Sequence, residues 1–304
     1  MEAIAPVVVI ANPTAGRGKW GRLIGRVDTI LNEIGVEHEI RVSTSAADLE
    51  RLAREAGQQG ARVVAALGGD GSVGLAANGL LGTGAALAVL PAGTGDDFAR
   101  AIGTRRLDAA TRLLADPVIR SIDVVRVTAG AETRHYVCVA GAGFDSEVNE
   151  TANSMRKGLG ATGTYVAAVL KTLPRFVPAA FHLQIDDRSL DLHAMLVVLG
   201  NSTSYGGGMK VTPDAMLNDG QLDICIVEAM KTGAFLRAFP KVFRGTHTHH
   251  PKVTMLRGTT VKLEADRRVN VYADGERVGP LPAVFEVLRE ALPVVIGPEA
   301  KVLG

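Results

Sequence analysis

Three glycine-rich stretches hold the residue types best suited to chemistry: Asn12-Pro13-Thr14-Ala15-Gly16-Arg17-Gly18-Lys19, Gly68-Gly69-Asp70-Gly71-Ser72-Val73-Gly74 and Pro91-Ala92-Gly93-Thr94-Gly95-Asp96-Asp97-Phe98-Ala99-Arg100. Each follows a short apolar run and opens a helical pattern. A loop so placed turns backbone N–H groups and the positive end of a helix toward an anion, and glycine lets the backbone approach it closely. Phosphate is the natural guest, with Arg17, Lys19 and Arg22 adding charge to the first loop. Asp70 stands apart, because a carboxylate repels bare phosphate. Its position points to Mg²⁺, or water on Mg²⁺, bridging phosphate oxygens; the alternative is an Asp-Gly turn acid without a ligand. In the third loop Thr94 supplies a hydroxyl and Asp96 or Asp97 can cap the next helix, while Asp97 and Arg100 are candidate substrate contacts. Two other phosphate signatures fit poorly. Gly16, Gly18 and Gly21 match G-x-G-x-x-G, yet Asn-Pro-Thr-Ala separates them from the strand, and Lys19 precedes Trp20 where a Walker loop needs Ser or Thr.

The elements that must position these loops read as strand and helix in alternation. Apolar runs at 7–11, 36–42, 62–67 and 85–90 alternate with helical patterns, one from Trp20 to Ile34 and one capped by Ser45 with Leu49, Leu52, Ala53 and Ala56 on a single face. This grammar implies a parallel sheet covered by helices on both faces, with the three loops at successive strand ends converging on one crevice. From Ile119 the pattern changes. Segments 119–128, 133–140, 180–186, 189–199, 222–228, 252–264, 268–273 and 292–296 read as strands, interrupted by helical stretches at 147–173 and 232–243. The expectation is an α/β domain over 1–118 and a β-rich domain over 119–304, whose last residues can pack back on the first domain. Asp274 sits between the strand 268–273 and Gly275, where Asp-Gly is a leading hairpin turn and a carboxylate can be half-buried. Phe235, Leu236, Phe239, Val242 and Phe243 form an apolar stripe suited to core packing or to a greasy substrate.

Composition narrows the function further. Lys and Arg number 33 against 32 Asp and Glu, so no net field draws the chain to nucleic acid, and 4% aromatics are too few for single-strand stacking platforms. A 47% apolar content excludes disorder. Cys138 and Cys225 lie in strand-like apolar runs and read as buried, reduced thiols, which suits the cytosol. No run reaches the roughly 18 apolar residues of a spanning helix. His247, His249 and His250 lack zinc-ligand spacing and read as a solvated loop.

Together, Asn12-Pro13…Gly16, Gly-Gly-Asp-Gly-Ser and Pro-Ala-Gly-Thr-Gly-Asp-Asp-Phe-Ala-Arg resemble the three signatures of the diacylglycerol kinase catalytic domain, shared with sphingosine and ceramide kinases. Gly200-Asn201…Tyr205-Gly206-Gly207-Gly208-Met209, Pro213…Asn218-Asp219-Gly220-Gln221-Leu222-Asp223, Phe239-Pro240-Lys241…Gly245…His247 and Ala273-Asp274-Gly275-Glu276 extend the likeness to bacterial soluble diacylglycerol kinase-like proteins over essentially the whole chain. The resemblance implies a nucleotide-binding α/β domain joined to a β-sandwich-like domain. It implies an ATP-dependent lipid kinase acting on a lipid alcohol, with diacylglycerol ahead of sphingoid bases, ceramide, phosphatidylglycerol or NAD. A non-catalytic lipid- or nucleotide-binding protein is the alternative outside enzymes. ATP would meet Asn12, Pro13, Thr14, Ala15 and Gly16, then Thr44 or Ser43, Gly68 to Gly74, Thr94 and Glu276. The family's structural Mg²⁺ maps to Asp219 with the carbonyls of Met216 and Gln221. The general base maps to Asp274, making Asp274 and Asp70 the catalytic carboxylates. The resemblance also implies a cytoplasmic protein in transient contact with a membrane surface, with a homodimer open. Ser72 replaces a usual Thr, Gly74 a common Asn, and Asp96 a usual Asn.

Overall fold

The computed structural model describes residues 6–13, 20–155 and 160–300. Its strands are β1 (Val7–Ala11), β2 (His38–Val42), β3 (Val63–Gly68), β4 (Ala86–Pro91), β5 (Ile119–Ala129), β6 (Glu132–Tyr136), β7 (Val139–Gly143), β8 (Ala179–Ile185), β9 (Arg188–Gly200), β10 (Leu222–Glu228), β11 (Val253–Gly258), β12 (Thr260–Ala265), β13 (Asn270–Ala273), β14 (Glu276–Pro280) and β15 (Ala283–Val295). Its helices are α1 (Trp20–Glu33), α2 (Ala46–Gln58), α3 (Asp70–Leu80), α4 (Asp97–Ala101), α5 (Leu107–Arg112), α6 (Phe144–Ser154), α7 (Gly160–Thr172) and α8 (Thr232–Ala238). They form two compact units, Met1–Val124 with Arg289–Leu303, and Val125–Leu288.

In the first unit β2, β1, β3 and β4 lie side by side and parallel, and the end of β15 continues the sheet through Val294 opposite Leu87. Every residue of β1, β3 and β4 is buried, as the unbroken apolar runs require of parallel strands covered on both faces. Val7, Val9, Ala11, Val63, Ala65 and Leu67 pack with Val27 and Leu31 of α1 and Ala110 of α5. Val8, Ile10, Val64 and Ala66 alternate with them and are equally buried. Each such burial contributes about 1.5–3 kcal/mol, enough to hold the strand ends, and hence the loops, in fixed register.

The second unit is antiparallel, with β14, β13, β7, β9, β8, β12 and β15 in succession; β10 and β11 extend from β9, and β5 with β6 pairs with β15. Alternate residues of these strands, among them Val197, Leu199, Ile224, Leu263 and Phe285, fill a single core. This is a β-sandwich-like architecture. The expected strand at 133–140 is two strands separated by a bend at Val137 and Cys138, and that at 252–264 is β11 and β12. The helical stretch at 147–173 starts earlier, at Phe144, and comprises α6 and α7. At 232–243 the α-helix ends at Ala238 and continues as a 3₁₀ turn over Phe239–Arg244, because Pro240 has no N–H to donate and its ring crowds the preceding turn. The sequence reading missed β14 and the first part of β15, whose exposed Glu276 and Arg277 and mixed burial give no clean alternation.

Candidate active site

Gly68 ends β3, Gly69 precedes α3, and Asp70 is the first helical residue. Gly69 and Gly93 press backbone against backbone: a Cβ on Gly69 would stand 3.1 Å from Gly93 Cα, and one on Gly93 2.7 Å from Gly69 Cα. Ala92 N–H donates to Gly68 O at 2.9 Å and Phe98 N–H to Asp70 Oδ1 at 3.2 Å, so the second and third loops form one body. Asn12 fastens the first strand's end to it, its Nδ2 donating to Ser72 Oγ at 2.8 Å and its N–H to Leu67 O at 3.2 Å. Asp70 is thereby held where the helix dipole favours negative charge. Ser43 N–H donates to Ala11 O at 3.0 Å and brings Thr44 beside this group, with the Thr44 N–H and hydroxyl both donating to Asp48 Oδ2.

Not every expected contact is placed to meet a ligand. Val73 is buried in the core and its N–H bonds Gly69 O at 3.1 Å, while Ser72 is buried and Gly71 and Gly74 are half-buried. Thr94 is exposed. Asp96 does not cap α4 as its position suggested: it adopts φ 49° and its carboxylate accepts the Gly93 N–H at 3.0 Å, while burial pushes its carboxyl above the usual range. Asp97 is buried and paired with Arg100 at 2.6 Å, and Arg100 also donates to Gly95 O at 2.7 Å, so this pair braces the third loop. Pro13 is half-buried; Thr14, Ala15 and Gly16, with Arg17, Gly18 and Lys19, lie outside the described residues.

In the second unit Asp274 and Gly275 form the two-residue turn between β13 and β14, where Ala273 faces Glu276. Both take positive φ, 47° and 85°, the primed geometry that suits strand twist. The Asp274 side chain folds back onto the bend before β7. Its Oδ2 accepts the Val137 N–H at 2.9 Å and its Oδ1 the N–H groups of Cys138 and Val139, both at 3.0 Å. Its own N–H donates to Val139 O at 3.0 Å. Three successive amides thus fix the direction of this carboxylate. The neighbouring Tyr136 phenol is pushed well above its usual range by burial, with the Asp274 charge adding to it. Glu276 is exposed at the start of β14.

Asp219 precedes Gly220, whose φ of 73° makes a tight turn, and its Oδ1 accepts the Gln221 N–H at 3.0 Å. Arg257 lies 3.4 Å from Asp219 Oδ2 and 3.1 Å from Asp223 Oδ1. Burial raises the Asp223 carboxyl, and its Oδ2 is buried without a hydrogen-bond partner. Asp219 and Asp223 thus share one guanidinium, which also donates to the Asp214 carbonyl at 3.1 Å, and the donors the resemblance implies, a carboxylate with the carbonyls of Met216 and Gln221, are all hard oxygens. The residues fit a Mg²⁺ ion in charge and donor type. Met216 is half-buried on the preceding turn.

The structure adds to the sequence reading at three features. His247 is buried, contrary to the solvated loop expected: its Nε2 lies 3.1 Å from Val211 O and burial lowers its pKa. The apolar stripe belongs to a row of rings, Phe176, Phe144, Phe235, Phe239 and Phe243, with neighbouring centroids 5.0–6.1 Å apart and Leu236 beside it 39% exposed. A cavity of about 510 Å³ is lined by Glu147, Glu150, Lys171, Arg175, Arg268 and Asn270, among others. Only the second had a sequence signal, the spacing of its phenylalanines.

The diacylglycerol kinase catalytic domain family matches residues 6–127, and the YegS C-terminal NAD kinase beta sandwich-like domain family matches residues 138–296. Among curated proteins, a diacylglycerol kinase of Mycobacterium tuberculosis is 36% identical over 297 residues, covering 96% of this chain and 95% of that one. A diacylglycerol kinase of Bacillus subtilis is 29% identical over 295 residues, 96% of each. A crystal structure of a diacylglycerol kinase from Bacillus anthracis str. Sterne shares the fold, with a TM-score of 0.77 at 20% identity over 99% of this chain and 100% of that one. No described helix is long and apolar enough to cross a membrane. With these matches spanning both units, the chain belongs to the diacylglycerol kinase family and is a lipid kinase.

Proposed function

We propose that the protein transfers the γ-phosphate of ATP to the hydroxyl of diacylglycerol, giving phosphatidate. The observation that carries this reading is the single body made by Asn12, Gly68–Ser72 and Gly93, in which the Phe98 N–H and a helix N-terminus hold one carboxylate. Phosphoryl transfer needs alignment, charge neutralisation and an acceptor for the hydroxyl proton. Asn12, Gly68, Gly69 and Gly71 bind the triphosphate, with Pro13, Thr44 and Thr94 around it, and Asp70 orients Mg²⁺ on it. When bound, Mg²⁺ would neutralise charge on the phosphate oxygens, and Asp219 with the carbonyls of Met216 and Gln221 would hold a second, structural ion. Asp274 takes the proton from the lipid hydroxyl, its amide cage holding the carboxylate in one direction. The aromatic row offers apolar surface along which acyl chains can lie, and this supports a lipid over a soluble acceptor such as NAD. Contact with a membrane surface is transient, through the lipid.

The test is labelled ATP with a panel of lipid alcohols and NAD in mixed micelles, followed by product identification. Phosphatidate as the main product is expected. Preferential labelling of ceramide, a sphingoid base or NAD would reassign the acceptor, and lipid-independent ATP consumption would remove the kinase reading.

A further inference from the structure

The grip on Asp274 has a second layer. Two of the three amides that bind it, those of Cys138 and Val139, belong to the peptide groups 137–138 and 138–139, and the carbonyls of those same groups are held from the opposite side by Asn201 and Ser202. Asn201 Nδ2 donates to Val137 O at 3.0 Å, and the N–H groups of Asn201 and Ser202 donate to Cys138 O at 2.8 and 3.0 Å. One peptide therefore reads Asn201 Nδ2–H, Val137 C=O, Cys138 N–H, Asp274 Oδ1; the next reads Asn201 N–H, Cys138 C=O, Val139 N–H, Asp274 Oδ1. Chains of this kind polarise each member, strengthening the last bond in a low-dielectric interior.

The surroundings of Asn201 fix it in this arrangement. Asn201 is fully buried at 0% exposure. Gly200 before it closes the β7–β9 pairing opposite Val139, and a Cβ there would meet Thr212 Oγ1 at 2.2 Å. The Thr212 hydroxyl donates to Ser202 O at 2.8 Å, and the Tyr136 hydroxyl to Leu199 O at 3.2 Å, so the bend at 137–138 is clamped on both flanks.

We infer that Asn201 is a positioning residue for phosphoryl transfer: through the Val137–Cys138 peptide it orients and polarises the amides that aim the Asp274 carboxylate at the acceptor hydroxyl. The inference rests on the reading of Asp274 as the base. Replacing Asn201 leaves the peptide in place but removes the donor on its carbonyl, so the amides bind the charged carboxylate less strongly. That carboxylate then takes up a proton at higher pH. Tyr136, Cys138 and Glu276, the other ionisable groups beside the turn, are unchanged.

The experiment compares kcat against pH, KM for ATP and thermal unfolding in the wild type, Asn201→Ala, Asn201→Ser and Asp274→Ala. For Asn201→Ala and Asn201→Ser the expected result is kcat about ten- to a hundred-fold lower, KM for ATP unchanged, and the acid limb of the kcat profile moved up by about half a pH unit or more. Loss of folded enzyme alone scales the profile without moving its limb. An unmoved limb in both variants, with Asp274→Ala inactive, overturns the role of Asn201 alone; near-normal turnover in folded Asp274→Ala overturns the base assignment beneath it.

Discussion

A carboxylate bound by three consecutive amides behaves differently on substitution from one that hangs in solvent. Asp274→Asn turns an NH₂ group toward at least one of the N–H donors of Val137, Cys138 and Val139, leaving buried donors unpaired at about 1–3 kcal/mol. Asp274→Ala leaves all three of these N–H groups without an acceptor, so unfolding is measured beside activity: turnover is expected to fall by about 10²–10⁴-fold while ATP binding, measured by calorimetry, stays within a few-fold of wild type. The glycine contact behaves oppositely. Gly93→Ala drives a methyl to 2.7 Å from Gly69 Cα, a backbone atom that cannot rotate away. It should weaken ATP binding by about ten-fold or more and lower stability by about 1–3 kcal/mol, read by calorimetry and urea titration. At this scale the Asp-Gly dipeptide announced the turn and the family pattern supplied a role for its acid. The inward fold of the side chain was illegible, because its partners are amides whose sequence, Val137-Cys138-Val139, reads as plain strand.

Among the elements, the joint between β7 and α6 depends on glycine. Gly143 passes directly from strand to helix at φ 101°, and a Cβ there would stand 2.6 Å from Met195 O. Gly143→Ala is expected to lower the unfolding free energy by about 2 kcal/mol or more, checked by denaturant titration with an unchanged slope. The end of α8 offers a functional counterpart. Phe239, stacked on Phe235, is half-buried beside exposed Leu236. If acyl chains lie along this row, Phe239→Ala raises KM for the lipid several-fold and leaves KM for ATP unchanged, whereas a pure packing role lowers stability alone. β1, β3 and β4 were readable because both faces are buried and the runs are uninterrupted. In the second unit the 3.6- and 2-residue periods overlap at short, half-exposed elements, so β6 and β7 merged and β14 vanished.

Across the molecule, buried ionisable groups decide how stability responds to acid. Burial holds the His247 pKa below its ordinary 6.5, so between those values the unfolded chain binds a proton that the native one does not. Its contribution is intact above about pH 6.5 and is lost as pH falls through the folded value. Asp145 works in the opposite sense. It is buried with Tyr165 and Tyr205 hydroxyls donating to Oδ1, and desolvation raises its carboxyl above 3.8, so its share of stability declines as pH rises from that value. His247→Gln should therefore flatten the loss of melting temperature below about pH 6.5, and Asp145→Asn should gain on the wild type as pH rises from about 4, both read by calorimetry. Neither group was legible beforehand, since burial of a lone polar residue depends on the tertiary core around it.

β15 leaves one unit and finishes in the other, so the parallel sheet borrows a strand segment beside β4 from residues translated after most of the sandwich. Proteins usually fold from the N-terminus as they emerge from the ribosome. Here the order inverts: a nascent chain stalled once Val124 is outside the tunnel lacks the second partner of β4 and should be more protease-sensitive than the full chain, and the first unit closes only once Val294 has emerged. The first unit therefore gains its last strand partner only after Asp274, in the second unit, has already been made.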